Sequence, residues 1–125
     1  MAAIATFGAV SLDAGDPRQL GRFYRAILDF DLWYESDEIV VLRGAGIMLT
    51  VERVDEHKPP DWPGNRLPKQ MHLDLFVTDL DSAEQSAIDC GAVKADFQPA
   101  PERWRVLLDP AGHPFCLTLP PRGIE

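Results

Sequence analysis

The sequence predicts an α+β fold made of two tandem βαβββ modules, and three observations carry that expectation. "GAVSLDAGDP" (Gly8 to Pro17) and "MHLDLFVTDLD" (Met71 to Asp81) each alternate apolar and polar residues and then reach an aspartate ahead of a helical pattern. Three extended runs follow each helical pattern. Between the halves, "DEHKPPDWPGNRLPKQ" holds four prolines and a glycine, the composition of a connection and not of an element. Module one is expected over 4–54, the connection over 55–70 and module two over 71–121, all within one domain of 125 residues.

In the first alternating run Val10 and Leu12 share one strand face, while Ala9, Ser11 and Asp13 share the other. Asp16 is a good N-cap with Pro17 at the first helical position, and Leu20, Phe23, Tyr24, Ile27 and Leu28 recur at helical spacing. The strands "FDLWYES", "EIVVLRG" and "IMLTVERV" complete the first module. Setting Asp16 on Asp79 places Ala9 on His72, Ser11 on Asp74 and Asp13 on Phe76. Leu73, Leu75 and Val77 are therefore expected to be buried against a helix, with His72, Asp74 and Phe76 facing a concavity. Asp79 or Asp81 caps the second helix, Ala83, Ala87 and Ile88 form its buried stripe, and Gly91 after Cys90 stops it. The runs "AVKADFQP", "WRVLLD" and "PFCLTLP" close the chain's second half.

Composition narrows the functional classes. With 46% hydrophobic residues, a chain of this length can bury one core. Twelve basic residues stand against twenty acidic ones, a net charge of -8, and the basic residues are scattered singly. That pattern gives no footprint for a phosphate backbone, so no nucleic-acid partner is expected. "MAAIATFGAV" has no positively charged start, and no apolar run approaches the length of a membrane span, so the protein is expected to be cytoplasmic with no membrane partner. Cys90 and Cys116 lack CxxC spacing, which favours neither a disulfide framework nor a zinc knuckle.

"SLDAGDPRQLGRFYRAILDFDL" and "LLDPAGHPFCLTLP", together with the doubled topology, resemble the vicinal oxygen chelate superfamily, which includes glyoxalase I, the bleomycin-resistance proteins and the extradiol dioxygenases. The resemblance implies a curved, cup-like mixed sheet of about eight strands with helices on the outer face. It also implies a homodimer, for which the exposed edges of such a sheet give a physical reason. Members commonly hold a divalent metal on four side chains, one from the first and one from the last strand of each module. Carried over, those positions fall on Ala9, Thr50, His72 and Cys116. Alanine has no donor atom and only His72 keeps the usual ligand type, so no tightly bound metal and no other cofactor are expected. A rebuilt metal site using His72, Glu52, Asp74 and Cys116 is the alternative.

His72 and Asp74 are the catalytic candidates, the imidazole as proton-transfer group and the carboxylate orienting it. The competing reading is a strand histidine that bonds the connection or a water. Cys116 is a nucleophile if a neighbour depresses its pKa, and a small apolar filler otherwise. Trp33, Tyr34, Trp62 and Trp104 stand out among the aromatics; Trp62, in the connection, either covers a ligand at the cup mouth or pins the loop to the sheet. Arg43, Arg103 and Arg105 either pair with an anionic ligand or are solvated. The candidate ligand-binding set is Ser11, Thr50, Trp62, His72, Phe76, Trp104 and Cys116. Three functions follow: a metal-free binder of a small organic molecule, a lyase or isomerase resembling glyoxalase I, or an interaction scaffold.

Overall fold

The computed structural model describes residues 3–121. The chain forms two compact units that part between His57 and Lys58. In the first, β1 (Ala9–Ala14) leads into α1 (Pro17–Leu28), then β2 (Asp31–Glu35), β3 (Ile39–Gly44) and β4 (Ile47–Arg53). The second repeats that order with β5 (Leu73–Phe76), α2 (Leu80–Asp89), β6 (Val93–Lys94), β7 (Trp104–Leu108) and β8 (Pro114–Thr118). The expected eight strands are thus hydrogen-bonded as two sheets of four, ordered β1-β4-β3-β2 and β5-β8-β7-β6. First and last strands of each module pair in parallel, the rest antiparallel, so the sheets are mixed.

The first unit follows its sequence signals closely. The Asp16 side chain accepts a hydrogen bond from the Gln19 amide at 3.2 Å, and Pro17 opens α1 where no amide donor is needed. Asp29 ends the helix in a left-handed conformation, its N–H donating to the Arg25 carbonyl. Leu20, Phe23 and Tyr24 meet Val40, Leu42, Leu49 and Val51 in a core where each is 3% exposed or less. Gly21 lets the helix approach closely, since a Cβ there would stand 2.7 Å from Val40 Cγ1. On the edge strand β2, Leu32, Trp33 and Tyr34 are exposed, and Arg43 lies over the Trp33 ring at 4.4 Å. Arg43 therefore serves an intramolecular cation–π contact.

The second unit departs from expectation in three places. Leu73, Leu75 and Val77 do oppose His72, Asp74 and Phe76, but they are half-buried and not buried. Two causes combine: β5 is an edge strand with a neighbour on one side only, and α2 buries only Leu80 and the small Ala87, with Ala83 and Ile88 half-buried. Arg105, a candidate anion partner, instead ties β7 to α2, reaching Glu84 at 3.0 Å and Asp81 at 2.9 Å. These carboxylates raise its pKa, so it stays charged. Finally, the run "AVKADFQP" gives only the two residues of β6, because the Gln98 side chain takes over the pairing. Its amide donates to the Val106 carbonyl at 2.7 Å and accepts from the Val106 N–H at 2.9 Å, replacing a strand neighbour.

The "DPAGHPF" turn is explained by Asp109, which is 3% exposed and accepts from the amides of Ala111 and His113 at 2.9 and 3.0 Å. Gly112 has φ +87, and a Cβ there would meet Pro59 at 2.4 Å, so the turn also seats the connection. Among the described residues no helix is long and apolar enough to cross a membrane.

Candidate functional site

A cavity of about 580 Å³ opens on the polar-row face of the second sheet. His72, Asp74 and Phe76 reach it from β5 and the residue before it, Trp104 and Val106 from β7, and Cys116 and Thr118 from β8. The parallel register puts Asp74 beside Cys116 and Phe76 beside Thr118, and the antiparallel register puts Val106 on the other side of Cys116. Alternation alone gathers these side chains on one face, since each strand contributes every second residue. Trp62 and Lys69 come from the connection. Trp62 is half-buried, leans on Phe97 with ring centroids 5.8 Å apart, and carries the Lys69 ammonium 5.7 Å from its ring. It lines the cavity while resting on Phe97 of its own unit.

The polar side of the cavity is a chain of hydrogen bonds. Lys69 Nζ lies 3.3 Å from His72 Nδ1, and His72 Nε2 lies 3.1 Å from Asp74 Oδ1. A lysine ammonium only donates, so Nδ1 accepts and Nε2 carries the hydrogen that points at Asp74. Cys116 closes the chain, its thiol bonded to the same carboxylate. Burial first, and the Asp74 charge second, push that thiol up to about 11, with Lys69 acting in the opposite direction. At neutral pH Cys116 is a protonated donor and not an activated nucleophile.

The first unit arranges the equivalent positions differently. Ser11 and Thr50 are register partners on β1 and β4, as Asp74 and Cys116 are on β5 and β8, and their hydroxyls hydrogen-bond each other. Thr50 is only 9% exposed. Both are therefore satisfied within the first unit. Glu52 lies two residues beyond Thr50 on β4, exposed. Arg43 is stacked on Trp33, and Arg105 is paired with Glu84 and Asp81. Lys69, Val106 and Thr118 were not singled out in the sequence; Thr118 and Val106 follow from strand alternation once the register is known, while Lys69 sits in a connection that no periodicity indexes.

These residues do not fit the metal that members of the superfamily commonly hold. Ala9 supplies no donor, and the Thr50 hydroxyl is neutral and bonded to Ser11. His72, Asp74 and Cys116 do offer donor atoms within 4.8 Å of one another. A metal there would have three donors from one side of the cavity, would have to displace the Nε2 hydrogen and the thiol proton, and would gain no anionic ligand from the positions of Ala9 and Thr50.

Comparison with solved structures shows the same fold at low identity. A glyoxalase-related enzyme from Fulvimarina pelagi matches with TM-score 0.69 and 16% identity, over 94% of this chain and 90% of its own. The bleomycin-binding protein of Streptomyces verticillus, in complex with copper(II)-bleomycin, matches with TM-score 0.58 and 17% identity, over 96% of this chain and 100% of its own. Lactoylglutathione lyase from Agrobacterium tumefaciens matches with TM-score 0.62 and 17% identity, over 92% and 93%. No curated protein matches the sequence. The family model described as the glyoxalase-like domain matches residues 9–118, nearly the whole chain, and the protein belongs to that family.

Proposed function

We propose that the protein binds a small organic molecule in the second-unit cavity, without a tightly bound metal. The observation that carries this reading is the cavity's composition. Trp62, Phe76 and Trp104 supply aromatic surface beside a single polar chain, and sites for small ligands characteristically join apolar walls to a few placed polar groups. Phe76 and Trp104 are 55% and 37% exposed, apolar area that a bound ring would remove from water. Binding of a ligand, as in the name of the bleomycin-binding relative, needs nothing more.

A lyase or isomerase reading, suggested by the lactoylglutathione lyase relative, would need His72 to exchange a proton with substrate. Both ring nitrogens are already engaged, so the geometry favours binding, with His72 holding Lys69 and Asp74 in position. The test is a thermal-shift screen of diverse aromatic small molecules against the protein and its Trp104→Ala variant, paired with elemental analysis of protein purified without added metal. Ligands that raise the melting temperature of the wild type and lose that effect in the variant support the reading. Hits indifferent to Trp104→Ala, or stoichiometric metal lost with His72→Ala, overturn it.

A further inference from the structure

The cavity also carries a sign. Lys69 is half-buried at its rim, in a protein of net charge -8, yet among the described residues it enters no ion pair with a carboxylate. Its ammonium has three hydrogens, and only one is directed at a protein acceptor, the His72 Nδ1. The Trp62 ring 5.7 Å away offers a weak electrostatic partner that leaves the remaining N–H groups unused. Asp74 is in the opposite position, since it already accepts from the His72 Nε2–H and the Cys116 thiol. Lys69 is thus a cation with N–H groups left for a ligand, while Asp74 has part of its acceptor capacity already used.

From this geometry we infer that the cavity selects planar aromatic carboxylates, the ring lying against Trp62, Phe76 and Trp104 and the carboxylate accepting hydrogen bonds from Lys69. The inference rests on the binding function proposed above and adds the ligand's class to it. A carboxylate presents two acceptor oxygens with no hydrogens, which matches an ammonium with unspent donors. It also neutralises Lys69 where partial burial makes the pairing stronger than in open water. A cationic ligand would meet Lys69 as a like charge and find Asp74's hydrogen-bonding capacity partly used. His72 is a positioning residue in this scheme: by accepting at Nδ1 and donating at Nε2, it holds the ammonium at the rim and gives the Asp74 carboxylate a hydrogen-bond partner.

Three probes of matched shape separate the possibilities: 2-naphthoate, 2-naphthamide and 2-naphthylmethylamine, titrated into the full chain by calorimetry. The carboxylate should bind about tenfold or more tightly than the amide, the scale of one charge-assisted hydrogen bond. Added salt should weaken the carboxylate selectively. Lys69→Met, which keeps the apolar stem and removes the charge, should collapse the carboxylate-to-amide ratio to near one, and Lys69→Arg should retain a preference for the anion. Circular dichroism of each variant confirms that the fold is intact. An amide or amine that binds as tightly as the carboxylate, or a ratio unchanged in Lys69→Met, overturns this inference while leaving the binding function standing. Failure of all three probes to bind overturns both.

Discussion

The Cys116 thiol gives a quantitative test of the cavity's electrostatics. It is pushed from an ordinary 9.0 up to about 11, so at neutral pH its thiolate is about 100-fold scarcer than that of an ordinary cysteine. The thiolate that does form is more basic and more nucleophilic; a Brønsted coefficient of about 0.4–0.5 returns roughly six- to tenfold of that loss. Alkylation should therefore run about 10- to 16-fold slower than at an ordinary thiol, before restricted access slows it further. The assay is iodoacetamide labelling of a Cys90→Ser variant, which leaves Cys116 as the sole thiol, followed by intact mass across the pH range. The rate should climb about tenfold per pH unit up to about pH 10 without levelling. Asp74→Asn should move the inflection down, because the Asp74 charge raises the pKa, yet leave it above 9.0, because burial is the larger cause. A plateau reached near 9.0 in the wild type would refute the burial argument. An inflection that Asp74→Asn leaves in place would refute the role of Asp74 as the shared acceptor.

The same thiol predicts a pH dependence of stability. A folded pKa above the unfolded 9.0 means the contribution is complete below pH 9.0 and is lost as pH rises toward about 11; Cys116→Ser should flatten that decline in urea titrations. Leu107 is fully buried and Leu75 only half-buried, so Leu107→Ala should cost about 2–5 kcal/mol and Leu75→Ala clearly less, and equal costs would contradict the burial assigned to β5. The exposed β2 edge with Leu32, Trp33 and Tyr34 supports the expectation of a homodimer. Light scattering should give twice the chain mass at micromolar concentration, and a monomer there would count against it.

The parts of the fold that were legible in the sequence are those with local causes. Asp16, Pro17 and the Leu20-Phe23-Tyr24 spacing specify α1 within a few residues, and the alternation around Asp74 specifies which face of β5 meets the cavity. What stayed hidden depends on partners distant in sequence. The half-burial of Leu75 comes from an edge position and a helix rich in alanine, neither of which alternation reports. The truncation of β6 comes from one glutamine imitating a strand, an arrangement that requires knowing that Val106 lies opposite. Arg105 reads as a free cation until α2 brings Glu84 and Asp81 beneath it. Within the site, His72 was evident as a residue, but its orientation was not, because Lys69 lies in a connection where no periodicity predicts direction.

The equivalent register of Ser11 with Thr50 and Asp74 with Cys116 means the chain carries two versions of one structural socket. One is filled by a neutral, self-contained hydroxyl pair, the other by an ionisable pair that draws in His72 and Lys69. The same backbone register thus carries two different side-chain chemistries, which makes the first half a built-in template for silencing the second. Grafting the serine and threonine across, as Asp74→Ser with Cys116→Thr, should leave the β5–β8 ladder in place and remove the carboxylate, with Lys69 left as the charged group of the polar chain. The reciprocal graft, Ser11→Asp with Thr50→Cys, would ask whether a titratable pair can be installed where none exists, turning a repeated register into a means of engineering sites on a fixed scaffold.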